Sequence, residues 1–188
     1  PINYILLALI AVSIRAANYP LTKIVISELP PLLAVSIRLT IMTIICLPFV
    51  KIPFGHFRSL FLLSFTLLAL PLGLTTVSLT EVDSSLAALF VILSIPTSQL
   101  LSYFLLKETL TKKQLLGLML SLIGCCLVII SPEVNADNAD ATFLLFIGSL
   151  SYAYATIRVK KVQATPVQIA VYSYLFSIPQ ILILSLLF

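Results

Sequence analysis

The sequence predicts an all-α integral membrane protein, a polytopic bundle of about seven transmembrane helices with its N-terminus in the cytoplasm. Three observations carry that prediction. Of the 188 residues, 60% are hydrophobic and only 10% are charged, against about 45–50% apolar and about 25% charged in soluble domains. The apolar residues fall in continuous runs long enough to cross a bilayer, which takes about 20 residues as helix. The charges collect in the short intervals between the runs, with opposite signs at alternate intervals.

Residues 3–22, 31–50, 57–79, 84–106, 114–131, 142–159 and 167–188 each read as one span. They are continuous rather than alternating, so a β-barrel is excluded. The intervals leave no room for a soluble domain. The loops near 51–58, 107–113 and 158–161 hold Lys51, Arg58, Lys107, Lys112, Lys113, Arg158, Lys160 and Lys161 against one acid, Glu108. The alternate loops hold Glu28, Glu81, Asp83, Glu133, Asp137 and Asp140 against one base, Lys23. The excess of Lys and Arg on cytoplasmic loops then puts the N-terminus inside.

Several function classes drop out. The net charge of +4 suggests nucleic acid only superficially, because the basic residues form no stripe. Cys46, Cys125 and Cys126 lie in apolar runs, and the only histidine is His56, so buried, inert thiols are expected, and no metal site or disulfide framework. There is no phosphate-binding glycine loop and no nucleophile–base pair. The expectation is therefore no enzyme, no catalytic residues, no metal and no cofactor. Pro20, Pro71, Pro96 and Pro179 interrupt spans. The backbone groups each proline frees need partners from neighbouring helices or water, and four such sites favour an internal cavity.

Residues 6–25 align on 143–162 without gaps. Leu7/Leu144, Ile10/Ile147, Ala16/Ala153, Lys23/Lys160 and Val25/Val162 are identical pairs. The sixth span would then repeat the first. With five spans per unit the second copy must be inverted, a plan common among transporters. The division expected is a first repeat at 1–131, an external linker at 132–141 and the start of a second repeat at 142–188.

Residues 15–23 (RAANYPLTK), Pro30 and Pro31 with Arg38 seven residues on, 83–108 (DSSLAALFVILSIPTSQLLSYFLLKE, closing on a Lys-Glu turn), 115–130 (LLGLMLSLIGCCLVII) and 143–161 together resemble the EamA-type branch of the drug/metabolite transporter superfamily. The family's corresponding turn reads Lys-Glu or Gly-Glu. Arg15 and Ala16 stand where that family usually has Trp and Gly. The resemblance implies a secondary transporter built from two inverted five-helix repeats, working by alternating access in the inner (cytoplasmic) membrane of a cell. Against that ten-helix plan the last three helices are lacking, so the expectation is either a fragment or a protein that departs from the family.

Candidate site residues follow from polarity inside the spans. Arg15 and Arg38 each lie roughly 4 Å to the outer side of mid-span at about 1.5 Å rise per residue. No span interior holds Asp, Glu or His. An arginine at that depth costs at least about 2.5–3.5 kcal/mol on insertion scales. It needs water, carbonyls or an anion, and a carboxylate or phosphate suits its two-pronged guanidinium. Asn18, Tyr19 and Thr22 share the face of Arg15, and Ser149, Tyr152 and Thr156 repeat those intervals. Asn18, Tyr19, Gln99 and Tyr152 are expected to line the substrate path with the two arginines. Ser94, Ser98 and Ser102, like Gly117, Ser121 and Gly124, read as helix-packing faces.

The expected partners are the lipid bilayer and a small metabolite, without nucleic acid. Self-association and the pairing of half-bundles stay open. The competing reading is a non-transporting membrane protein: an assembly partner, a sensor or a remnant.

Overall fold

The computed structural model describes residues 2–50, 57–129, 139–162 and 164–186. The basic loop at 51–56 and most of the expected linker at 132–141 lie outside the described residues. The side chains of Arg15 and Cys125 do as well.

All regular structure among the described residues is helical. We label the helices α1 (Ile2–Ile26), α2 (Pro31–Cys46, running into a 3-10 turn at Leu47–Phe49), α3 (Phe57–Ser78), α4 (Ser84–Leu106), α5 (Lys112–Ile129), α6 (Ala139–Val159) and α7 (Pro166–Leu184). Five of them, α2 with its 3-10 turn, α3, α4, α6 and α7, are long and apolar enough to cross a membrane by length and composition. Two helices extend clearly beyond their apolar runs, α1 at its end and α6 at its start. The α1 backbone continues through Pro20 to Ile26, which carries Lys23 to the helix terminus.

The starts of the helices have local causes. Pro31 sits at the first position of α2, where its missing N–H is not needed. Thr165 and Gln168 form a reciprocal cap on α7. The Thr165 hydroxyl accepts from the Gln168 N–H at 3.3 Å, and the Gln168 side chain accepts from the Thr165 N–H at 2.9 Å. Thr111 and Gln114 repeat that exchange before α5, at 3.4 and 2.9 Å. Both read Thr-x-x-Gln, a readable helix-start signature.

Helices α6 and α7 fit among the helices that precede them. α6 packs against both α3 and α4, and α7 packs against both α2 and α3. α1 leans on α4 and touches α2, while α5 packs on α4. Three apolar clusters result. One joins Leu79, Val82, Ala87, Phe90 and Leu93 to Ala141 and Leu145, with Tyr19 and Ile26 of α1 packed against it. A second joins Leu32, Val35 and Leu39 to Ala69 and Ile181. A third, at the Lys-rich end, joins Leu60 and Leu63 to Ala155, Ile169 and Tyr172. Gly148 brings α6 against the backbone of α3: a Cβ there would lie 3.5 Å from the Cα and carbonyl oxygen of Pro71.

The exterior is apolar, with Ile5, Leu9, Ile14, Leu116, Leu120 and Leu127 all exposed. A soluble protein rarely exposes patches that large, and lipid is their natural solvent. Two smaller expectations change. Cys126 is exposed and Cys46 half-buried, so those thiols are not core residues. Among the described residues, the small-residue face of α5 meets no neighbouring helix at Gly117 or Gly124, where nothing lies within 4 Å of an added Cβ. Ser94 and Ser102 are buried on a helix packed against α6.

Candidate functional site

Helix α4 is held at both ends by a lysine from another helix. At its start, the Lys23 Nζ donates to the Asp83 Oδ1 at 3.1 Å and to the Val82 carbonyl at 3.0 Å. Asp83 occupies the N-cap position of α4 but makes no side-chain cap bond, so its carboxylate serves the lysine instead. At the other end, the Lys160 Nζ donates to both carboxylate oxygens of Glu108, at 2.8 and 3.1 Å. The 23 residues of α4 separate the two pairs by about 34 Å along its axis, at 1.5 Å per residue. Lys23 and Lys160, identical in the repeat alignment, therefore stand at opposite ends of the same helix. The pairs are solvent-exposed, so each is worth about 0.2–1 kcal/mol before salt screening.

Lys107 explains how Glu108 reaches its partner. It closes α4 in the left-handed region, at φ 54° and ψ 31°. That conformation turns the chain sharply and favours glycine. The Lys-Glu turn is thus a helix stop followed directly by the ion-pairing carboxylate.

A second polar centre lies where α3 meets α6 and α7. Residues Phe65–Ala69 form a π turn, and the Leu70 N–H bonds the Phe65 carbonyl five residues back. In that register the next donor would be residue 71 to Thr66, and Pro71 has no N–H. The freed Thr66 carbonyl accepts from the Ser151 hydroxyl of α6 at 2.9 Å. From α7, the Gln180 amide donates to the Phe61 carbonyl at 3.0 Å. The Ser177 hydroxyl donates to the Ser64 carbonyl at 3.2 Å. The Ser64 hydroxyl lies 3.2 Å from the Gln180 Oε1. Ser64, Ser177 and Gln180 are buried. At Pro71, then, a neighbouring helix satisfies the carbonyl that the sequence assigned to a cavity or to packing.

The residues expected to bind substrate are placed as follows. Arg38 lies on the exposed face of α2, opposite Leu32, Val35 and Leu39. Gln99 lies on the exposed face of α4, while Asn18, Tyr19 and Tyr152 are half-buried. Tyr19 packs against the cluster shared by α4 and α6. The hydroxyls nearby are spent locally: Thr22 donates to the Asn18 carbonyl at 2.7 Å and Thr156 to the Ala153 carbonyl at 2.6 Å. Among the described residues, no carboxylate pairs with Arg38. α1, the helix of Asn18 and Tyr19, packs against α4, the helix of Gln99, and touches α2, the helix of Arg38; the side chain of Arg15 lies outside the described residues. Tyr152 sits on α6, also against α4.

Sequence reasoning missed Ser151, Ser177 and Gln180. The available signal was a proline in mid-span, which frees a carbonyl, and a glutamine beside Pro179 in an otherwise apolar helix.

The family of EamA-like transporters matches residues 2–130. No curated protein and no solved structure matches the chain.

Proposed function

The chain belongs to the EamA-like transporter family, a multi-pass membrane family of transporters rather than enzymes, and from that premise we propose that it moves a small metabolite bearing an anionic group. Movement is by alternating access across the cell's cytoplasmic membrane. The observation that carries the anionic group is Arg38. It lies near the middle of α2, and no described carboxylate is paired with it. A guanidinium at that depth is stabilised by an anion that visits it. Arg15 supplies the second positive charge, from the neighbouring α1. Asn18, Tyr19, Gln99 and Tyr152 line the path. The adjacency of α1, α2, α4 and α6 supports a shared route for these residues.

The test is counterflow in proteoliposomes with a panel of carboxylated and phosphorylated metabolites beside neutral analogues. Anionic members should exchange. Arg38→Gln should lower that exchange about tenfold or more, as loss of a charge-assisted bond of about 1.5–3 kcal/mol implies. Wild-type exchange of anions by Arg38→Gln removes the arginine from the site. Exchange confined to neutral analogues removes the anionic substrate.

A further inference from the structure

Both ends of α4 are closed by the same device, a lysine at the end of a repeat-related helix reaching a carboxylate that flanks α4. Lys23 closes the acidic end on Asp83 and Val82, and Lys160 closes the Lys-rich end on Glu108. We infer that these are paired latches: release of one opens that end of α4 while the other holds.

Three features point to latching rather than to permanent stapling. First, the pairs are weak, because their side chains are exposed to 42% and 87% in one and 52% and 48% in the other. An exposed pair breaks and reforms at small cost. Second, the helix behind the acidic-end latch is loosely held, whereas α6, which ends beside Lys160, packs against both α3 and α4. α1, which carries Lys23, has its main described contact with α4, so breaking that latch loosens the acidic end without opening the α3–α6 or α2–α7 contacts. Third, each latch adjoins an apolar cluster at its own end. Leu86 packs beside the acidic-end cluster and Val159 beside the Lys-rich one, so each end has its own seal of apolar side chains behind the charge pair. Lys107, in its left-handed turn, places Glu108 against Lys160.

This inference rests on the alternating-access reading, and its test separates the two. Cys46, Cys125 and Cys126 are replaced by serine, and one reporter is added, either Leu86→Cys or Val159→Cys. Each is labelled with a membrane-impermeant maleimide in vesicles of both orientations. Paired latches predict opposite effects. Lys160→Gln should raise Val159→Cys labelling from the Lys-rich face about two- to five-fold and lower Leu86→Cys labelling from the acidic face. Lys23→Gln should do the reverse. The exchanged pair Lys160→Glu with Glu108→Lys should return labelling towards the starting pattern. Merely weakened packing would raise both reporters together in either variant. That result, or unchanged labelling, overturns the latches and leaves transport standing wherever counterflow persists. If neither reporter labels from its own face in the otherwise unaltered protein, the alternating-access reading falls with the latches.

Discussion

Ser151 of α6 donates its hydroxyl to the Thr66 carbonyl of α3 at 2.9 Å, at the one place where the π register of α3 asks Pro71 for an N–H it does not have. The relationship joins a residue of the expected second repeat to a defect in the first. It also places the α6 contact one helical turn from Gly148, whose lack of a side chain lets the two backbones approach.

Ser151→Ala should lower the thermal stability of the detergent-solubilised protein by the equivalent of about 0.6 kcal/mol, and at most about 1.7, as interhelical hydrogen bonds in membranes do. Pro71→Ala returns an N–H to residue 71. In that background Ser151→Ala should cost little, because Thr66 then has a peptide donor. A double-mutant cycle reads this directly. Strictly additive losses would refute the explanation of the bond.

Gln180 uses both ends of its amide, one toward Phe61 and one toward Ser64. Gln180→Leu removes both contacts and leaves the Ser64 hydroxyl 2.7 Å from the Phe61 carbonyl, so the loss should stay near 1 kcal/mol. Gln180→Glu sets a carboxylate against a carbonyl in a dry interior and should cost about 2.5–3.5 kcal/mol more than an apolar residue. Melting curves of the two variants decide it, and equal melting temperatures would show that the site is wet.

Lys107 pays for its left-handed backbone, about 1–2 kcal/mol for a residue with a Cβ. Lys107→Gly should therefore preserve or raise the melting temperature, and Lys107→Val should lower it. Both changes remove the same charge, so a difference between them reports the backbone alone. Identical behaviour would mean the turn is not held in that conformation.

The helices were legible because lipid enforces them. A chain in hydrocarbon must satisfy its N–H and C=O groups within each span, so apolar runs at 31–50 and 84–106 predict α2 and α4 closely. The opposite placement of Lys23 and Lys160 was legible too, from the inverted alignment and the alternating loop charges. Their partners were not. Lys23 meets Asp83 across 60 positions and Lys160 meets Glu108 across 52, and no local pattern links residues so far apart. The candidate substrate residues were chosen by depth and polarity. Depth does not say which side of a helix meets its neighbours, and Arg38 and Gln99 lie on exposed faces.

The sequence by itself determined that the chain is a membrane helix bundle of the EamA-like type, where the spans run and which charges sit at which end, because hydropathy and loop charge are local properties. Only the tertiary structure decided that α6 lies against α3 and α4, that Ser151 completes the π turn at Pro71, and that Lys23 and Lys160 clasp α4 from both ends. Those are contacts between segments far apart in the chain. In lipid, where every apolar face is equally content, close fit and a few hydrogen bonds choose the neighbours.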